Sequence, residues 1–179
     1  MDINKYLKRI NVYSEIKPDL ETFRFLHRQH LYTVPFENLD IHSGRKIILQ
    51  KDMLLHKIID EGRGGFCYEL NGTFYELLTA VGFKVKRISA GVCDDGKNYS
   101  PDFDDMALIV SINNEDYLAD VGFGDSFVEP KKFKLDEIQK DIRDFFKISK
   151  SKEDEYYSLY RSPDGENFIP QHRFTTVPR

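Results

Sequence analysis

Residues 63–71 read Arg-Gly-Gly-Phe-Cys-Tyr-Glu-Leu-Asn and place Cys67 shortly after a pair of glycines. Apolar residues then recur at three- and four-residue steps, which is the repeat of one buried helix face. Gly82 ends the pattern, as a glycine commonly ends a helix. The spacing therefore predicts a helix through Val81 with these residues on its buried face: Cys67, Leu70, Phe74, Leu77, Leu78 and Val81.

Cys67 would lie in the first turn of this helix. Unpaired N–H groups and the positive end of the helix dipole meet there, and both favour a negatively charged side chain. Helix N-termini are among the environments that lower the pKa of a cysteine from about 8.5. The alternative is a core residue, because free cysteines are among the most buried residue types. Cys67 is a candidate nucleophile on the first interpretation and a packing residue on the second.

Three segments of the chain, in the same order, resemble the signatures of the arylamine N-acetyltransferases. The first is residues 63–71. The second is residues 26–40, Leu-His-Arg-Gln-His-Leu-Tyr-Thr-Val-Pro-Phe-Glu-Asn-Leu-Asp, and the third is residues 120–124, Asp-Val-Gly-Phe-Gly. The resemblance extends from about Tyr6 to Arg179. Members of this family transfer an acetyl group from acetyl coenzyme A to an aromatic amine or hydrazine through a cysteine.

The predicted fold is α+β with a cysteine-protease-like (transglutaminase-like) core. After Gly82 the apolar period changes from that of a helix to the alternation of strands. We therefore predict a helical domain over residues 1–83, which carries the nucleophile, packed on a mainly antiparallel β-sheet or barrel over residues 84–179. Members of the family usually continue into a third, lid-like region, which we expect to be absent here.

The resemblance also implies the site residues. The catalytic positions are Cys67 as nucleophile, Asp105, and Asp120 as the orienting carboxylate. Substrate binding is assigned to Phe36, Phe66, Phe123 and Gly124. Acetyl coenzyme A is the implied co-substrate, and no metal is expected because the cysteines and histidines lack metal-site spacing.

Asp105 departs from the family pattern, which has a histidine fifteen residues before the aspartate. A carboxylate repels a neighbouring thiolate and so raises the pKa of the cysteine. The expected enzyme is therefore impaired. His42, His56 and His172 are not expected to replace the histidine, because none of them follows a strand register that brings it to Cys67. One alternative is a catalytically silent homologue that binds an acyl coenzyme A or an arylamine. The other is a transglutaminase-like or papain-like hydrolase.

Met106–Ile112 and Tyr117–Val121 are predicted to form a hairpin. With its turn centred on Asn114 and Glu115, residues 105 and 120 share a face of the sheet without being direct neighbours.

Two polar features of the N-terminal signatures carry further expectations. We predict that Arg63 pairs with Glu37 inside the fold, because a buried arginine needs a carboxylate partner. Their role would be structural. His27 and His30 are expected to be ordinary surface or capping residues.

Composition limits the remaining function classes. The chain is 40% hydrophobic and 13% aromatic over 179 residues, enough for a substantial core. Residues 1–90 carry 14 basic and 11 acidic side chains, whereas residues 91–179 carry 12 and 19. This acidic second half argues against a nucleic-acid partner. Neither a membrane-spanning segment nor a secretory signal is recognised, so no membrane partner and a cytoplasmic location are expected.

Overall fold

The fold places a set of helices before a single sheet. The computed structural model describes residues 2–93 and 95–177. The helices are Ile3–Arg9 (α1), Leu20–Thr33 (α2), Leu39–His42 (α3), Lys51–Leu55 (α4) and Cys67–Val81 (α5), and α4 continues into a π-helical turn, His56–Asp60. The strands are Lys84–Val92 (β1), Asp105–Ile112 (β2), Glu115–Ala119 (β3), Lys131–Lys132 (β4), Gln139–Lys140 (β5), Phe145–Lys150 (β6), Tyr157–Ser162 (β7) and Ile169–Phe174 (β8).

The helix ends follow from local sequence. The side chain of Asp2 accepts a hydrogen bond from the N–H of Asn4, and that of Asp19 accepts one from the N–H of Thr22. These aspartates cap α1 and α2, since each satisfies an N–H group that has no partner within the helix. Helix α5 ends at Gly82, whose φ of 106° lies in the left-handed region. The predicted helix Cys67–Val81 is confirmed at both ends.

All named strands pair antiparallel, in the order β4-β3-β2-β1-β8-β7-β6-β5. Strand β1 is central, because it joins the β1–β4 meander to the β5–β8 meander through its pairing with β8. The predicted α+β class with an antiparallel sheet is confirmed. The last strand, β8, ends the described part of the sheet at Phe174.

The two faces of the sheet bury separate cores. One contains Phe74 and Leu77 of α5 with Leu108 and Val110 of β2. The other contains Ala107 of β2 together with residues of β6, β7 and β8, so the sheet curls towards a barrel. Because side chains alternate between faces along a strand, β2 contributes to both cores.

The helices precede residue 83 and the strands follow it, as predicted. The division into two independent domains at this point stays a prediction. Pro178 and Arg179, the end of the predicted second domain, lie outside the described residues. Within residues 2–93 and 95–177, no helix is long and apolar enough to cross a membrane. The cytoplasmic location also stays a prediction.

The expectation that His27 and His30 are surface or capping residues is wrong, because both side chains are fully buried on α2. His30 packs against the rings of Tyr6 and Phe74, with centroids 6.1 and 5.2 Å away. Neither ring nitrogen of His30 has a hydrogen-bond partner among the described residues. The apolar stripe of α2 extends over both histidines.

Burial of His30 predicts acid sensitivity. Burial lowers the pKa of His30 to about 3, so the unfolded chain binds a proton at this residue that the folded chain excludes. The stability linked to His30 is therefore present above about pH 6.5 and is lost as the pH falls, by about 3 kcal/mol between pH 6.5 and 4. Urea denaturation at each pH should show a shallower pH dependence for His30→Leu than for the parent. His42→Leu, at an exposed position, is the control, and equal slopes for the parent and His30→Leu would contradict the prediction.

Candidate active site

The loop before α5 positions Cys67. The N–H of Glu37 donates to the carbonyl of Gly65 at 2.9 Å, and the N–H of Gly65 donates to the carbonyl of Pro35 at 3.3 Å. A Cβ at Gly64 would lie 2.0 Å from the Pro35 carbonyl oxygen, so only glycine fits this close approach. Glu69 accepts from the N–H of Phe66, which satisfies one donor at the start of α5. The two glycines and the loop at 35–37 thus fix where α5 begins.

The Cys67 thiol faces two carboxylates. Its Sγ donates to the carbonyl oxygen of Asp104 at 3.9 Å, and the charges of the Asp105 and Asp120 side chains act on it. On the other side, a Cβ at Gly122 would lie 2.6 Å from the Cα of Cys67. The loop after Asp120 therefore packs directly on the backbone of the nucleophile. The structure brings together all three predicted catalytic positions.

Asn71 connects the elements of the site. Its side-chain N–H groups donate to the Met106 carbonyl at 2.6 Å and to Asp120 Oδ1 at 2.8 Å. Its side-chain oxygen accepts from the N–H of Val121 at 3.0 Å. Asn71 lies within the signature at residues 63–71, which assigns it no role. Its position four residues after Cys67, on the same face of α5, was the signal that pointed to the site.

His27 binds the backbone of Asp120 through a hydrogen bond. The N–H of Asp120 donates to Nε2 of His27 at 3.2 Å, while Nδ1 lies 2.8 Å from the carbonyl of Val128, to which it can donate. Burial lowers the pKa of His27 to about 4, which keeps the ring neutral with one nitrogen free to accept. Its role in holding residues 120 and 128 was missed because the spacing of His27 on α2 resembles no known site.

The electrostatics of the site disfavour a thiolate. Burial, and then the charge of Asp105, raise the pKa of the Cys67 thiol well above its usual range. Burial raises the pKa of Asp105 to about 6, and burial together with the charge of Asp105 raises that of Asp120. The expected lowering of the cysteine pKa by the helix N-terminus is therefore outweighed. Asp105 acts on the pKa of Cys67 in the predicted direction, which is upwards.

His172 is nearer to the site than the sequence indicated. One ring nitrogen of His172 and one oxygen each of Asp105 and Asp120 lie within 4.8 Å of one another. The register explains this arrangement. Asp105 pairs with Ala90 of β1, and His172 pairs with Val92, two residues further along the same strand. Side chains two residues apart point to the same face, so this register brings His172 to Asp105 and Asp120. The expectation that no register brings His172 to Cys67 itself stays a prediction.

The predicted pairing of Arg63 with Glu37 is present, with Nη2 2.7 Å from Oε1. Arg63 also contacts Asp40, at 3.0 Å. Lys57 joins the same cluster through Asp40 and Glu69, at 2.9 and 2.7 Å. These charges link the second signature to the start of α5, and they touch none of the three catalytic positions.

The four predicted substrate-binding residues fall into two groups. Phe36 is 48% exposed and forms a bridge with Gly65, next to Phe66. Phe123 and Gly124 line a pocket of about 180 Å³ that Asp120 also lines. A second cleft, of about 270 Å³, lies beside the start of α5. Its walls include Leu54, Tyr68, Gly72, Arg87, Phe103 and Met106.

Helices that place Cys67 at the start of α5 and pack on an antiparallel sheet define the transglutaminase-like fold class. The profile of the N-acetyltransferase family matches residues 19–179. The chain is 32% identical over 185 residues to arylamine N-acetyltransferase from Mycolicibacterium smegmatis, covering 100% of this chain and 66% of the relative. The chain belongs to the arylamine N-acetyltransferase family of acyltransferases.

Solved structures agree with this assignment. The arylamine N-acetyltransferase from Salmonella typhimurium superposes with a TM-score of 0.91 at 27% identity, covering 99% of this chain and 64% of that one. The Mycobacterium marinum enzyme in complex with CoA superposes with a TM-score of 0.89 at 27% identity, covering 99% and 66%. The chain thus spans about two thirds of the length of these relatives.

Proposed function

We propose that the chain transfers an acetyl group from acetyl coenzyme A to an arylamine or arylhydrazine through an acetyl group carried on Cys67. The observation that supports this most is the placement of Cys67 at the start of α5, beside the side chains of Asp105 and Asp120. A family member that binds CoA supports the co-substrate. The pocket beside Phe123 and Gly124 supports an aromatic acceptor.

The chemistry follows a two-step exchange. The Cys67 sulfur attacks the thioester carbonyl, the bond from that carbonyl to the coenzyme A sulfur breaks, and coenzyme A leaves as its thiol with a proton. The amine then attacks the acetyl-cysteine, and Cys67 takes back a proton. Asp105 is the side chain that lies beside the thiol and exchanges that proton. A carboxyl with a pKa of about 6 performs this exchange less well near neutral pH than an imidazole.

A silent binding homologue is the second candidate, and one observation favours it. The raised pKa of Cys67 leaves little thiolate near neutral pH. In this alternative the chain binds the acyl coenzyme A or the arylamine without forming a covalent intermediate.

Acetylation of Cys67 distinguishes the two candidates. We expect incubation with acetyl coenzyme A to add one acetyl group, located on Cys67 by peptide mass spectrometry, and addition of an arylhydrazine to remove it. Cys93, the other cysteine, is the internal control, and Cys67→Ser should abolish the modification. Binding of acetyl coenzyme A without acetylation of Cys67 over hours would favour the silent homologue and contradict the proposal.

A further inference from the structure

Three buried side chains converge beside Cys67. Asp105 begins β2, Asp120 follows β3, and His172 lies in β8. One ligand-type atom of each lies within 4.8 Å of the other two. The exposed fractions of the three residues are 2%, 2% and 0%. Strands distant in sequence thus assemble a compact group of oxygen and nitrogen ligands away from bulk water.

In each carboxylate of this group, one oxygen accepts hydrogen bonds and the other has no hydrogen-bond partner among the described residues. Asp105 Oδ1 accepts from the N–H of Met106, and Asp120 Oδ1 accepts from Asn71 and from the N–H of Gly122. The Oδ2 atoms of both aspartates, and both ring nitrogens of His172, have no hydrogen-bond partner within the described part of the chain. Buried polar atoms without partners are rare and destabilising. The convergence of these unpartnered atoms is what a single bound ligand in contact with all three side chains would require.

We propose that Asp105, Asp120 and His172 bind a divalent transition-metal ion of the Zn²⁺ type. Carboxylate oxygen and imidazole nitrogen are ordinary ligands of this ion, and three protein ligands with one open position is the usual arrangement of a catalytic zinc site. The two positive charges of the ion compensate two buried carboxylates that have no other cation in contact among residues 2–93 and 95–177.

The three ligand atoms are close enough together to converge on one ion. Tetrahedral ligand atoms bound at about 2.0–2.2 Å lie about 3.3–3.6 Å apart, and the three atoms here lie within 4.8 Å of one another. Asn71 and the N–H of Gly122 already orient Asp120, as outer-shell partners orient metal ligands. Asp120 also lines the pocket beside Phe123 and Gly124. The sequence could not indicate this site, because its ligands are far apart along the chain.

Zinc binding by the full chain tests the proposal. After treatment with EDTA and its removal, calorimetric titration with ZnCl₂ should show one tight equivalent. His172→Gln should weaken that binding by at least about tenfold, since even outer-shell partners of metal ligands contribute about 10- to 100-fold to affinity. His56→Gln is the matched control, because His56 lies in an exposed cluster with Asp60 and Glu61, at 3.1 and 3.4 Å. Binding that is lost in His56→Gln and kept in His172→Gln would overturn the proposal.

A second measurement uses the parent chain, so its result does not depend on whether the His172→Gln variant folds. A metal ion at this site lies beside the Cys67 thiol, because Asp105 lies beside that thiol. One equivalent of Zn²⁺ should therefore slow alkylation of Cys67 by iodoacetamide and leave Cys93 unchanged, as read by peptide mass. Equal rates at Cys67 with and without Zn²⁺, or the lack of a tight equivalent in the titration, would overturn the proposal. The metal site shares Asp105 and Asp120 with the proposed acetyl-transfer site. Acetyl transfer is therefore assayed in the presence of EDTA, so that failure of the metal proposal and failure of the proposed function give different results.

Discussion

Replacing Asp105 with histidine should increase alkylation of Cys67 by iodoacetamide at pH 7 by more than about tenfold. Burial, and then the carboxylate of Asp105 beside the thiol, raise the pKa of Cys67, whereas an imidazolium in place of that carboxylate would stabilise the thiolate. Each pKa unit corresponds to about 1.4 kcal/mol, and recovery of two or three units raises the thiolate population accordingly. The gain in rate should be smaller than the gain in population, because nucleophilicity falls with the pKa. Acetyl transfer should increase in parallel.

The measurement is a pH profile of alkylation in EDTA, read at Cys67 by peptide mass, with Cys93 as internal reference. Asp104→His is the matched control: the substitution is the same, one residue earlier, and the Asp104 side chain is exposed. It should change the rate at Cys67 by less than about twofold, since exposed charges are screened. An unmodified chain whose Cys67 already titrates well below pH 7 would show that another group activates the thiol.

Replacing Asp141 with asparagine should destabilise the fold by about 3–5 kcal/mol. Lys131 and Asp141 form an ion pair whose side chains are 2% and 3% exposed. Burial lowers the pKa of Lys131 and the carboxylate opposes that shift, so removal of the charge at 141 leaves a buried ammonium unpaired. The rings of Phe127 and Phe146, 5.8 and 5.2 Å from the ammonium, compensate only part of this loss.

The check is the midpoint and slope of guanidinium denaturation, which separate a change of stability from a change of compactness. Glu137→Gln is the control, because it breaks an exposed pair with Lys134 and should change stability by at most about 1 kcal/mol. A double variant, Lys131→Met with Asp141→Leu, should lose less than Asp141→Asn alone, since it leaves no unpaired buried charge. A loss below about 1 kcal/mol in Asp141→Asn would contradict the prediction.

The sequence predicted those parts of the fold that depend on neighbouring residues. The spacing of apolar residues alone predicts helix α5 and its end at Gly82. The same spacing places Cys67 in the first turn of that helix. The β2–β3 hairpin was predicted with its turn one residue too late. The turn residues are Asn113 and Asn114, with φ of 51° and 64°, which suit the left-handed turn that joins two strands tightly. Leu108 therefore pairs with Ala119 and not with Val121.

The parts that were missed depend on distant contacts. His27 and His30 were expected to be ordinary surface or capping residues. Their spacing alone does not show that both pack on Phe74 or that His27 holds Asp120. Residues 131–150 form three strands, β4, β5 and β6, two of them only two residues long, and such short strands carry no alternation. His172 could be placed only once the pairing of β1 with β8 was known.

The pairing of β1 with β8 has a consequence for folding kinetics. Neighbouring strands within each meander are close in sequence, whereas Val92 and His172 are 80 residues apart and pair directly. Closing a long segment is entropically costly, and folding slows as contacts become less local. Cys67, Asp105 and Asp120 belong to segments that assemble early by this criterion, and His172 joins them only when β8 docks. We expect the full arrangement of the site to appear with the slowest step of folding.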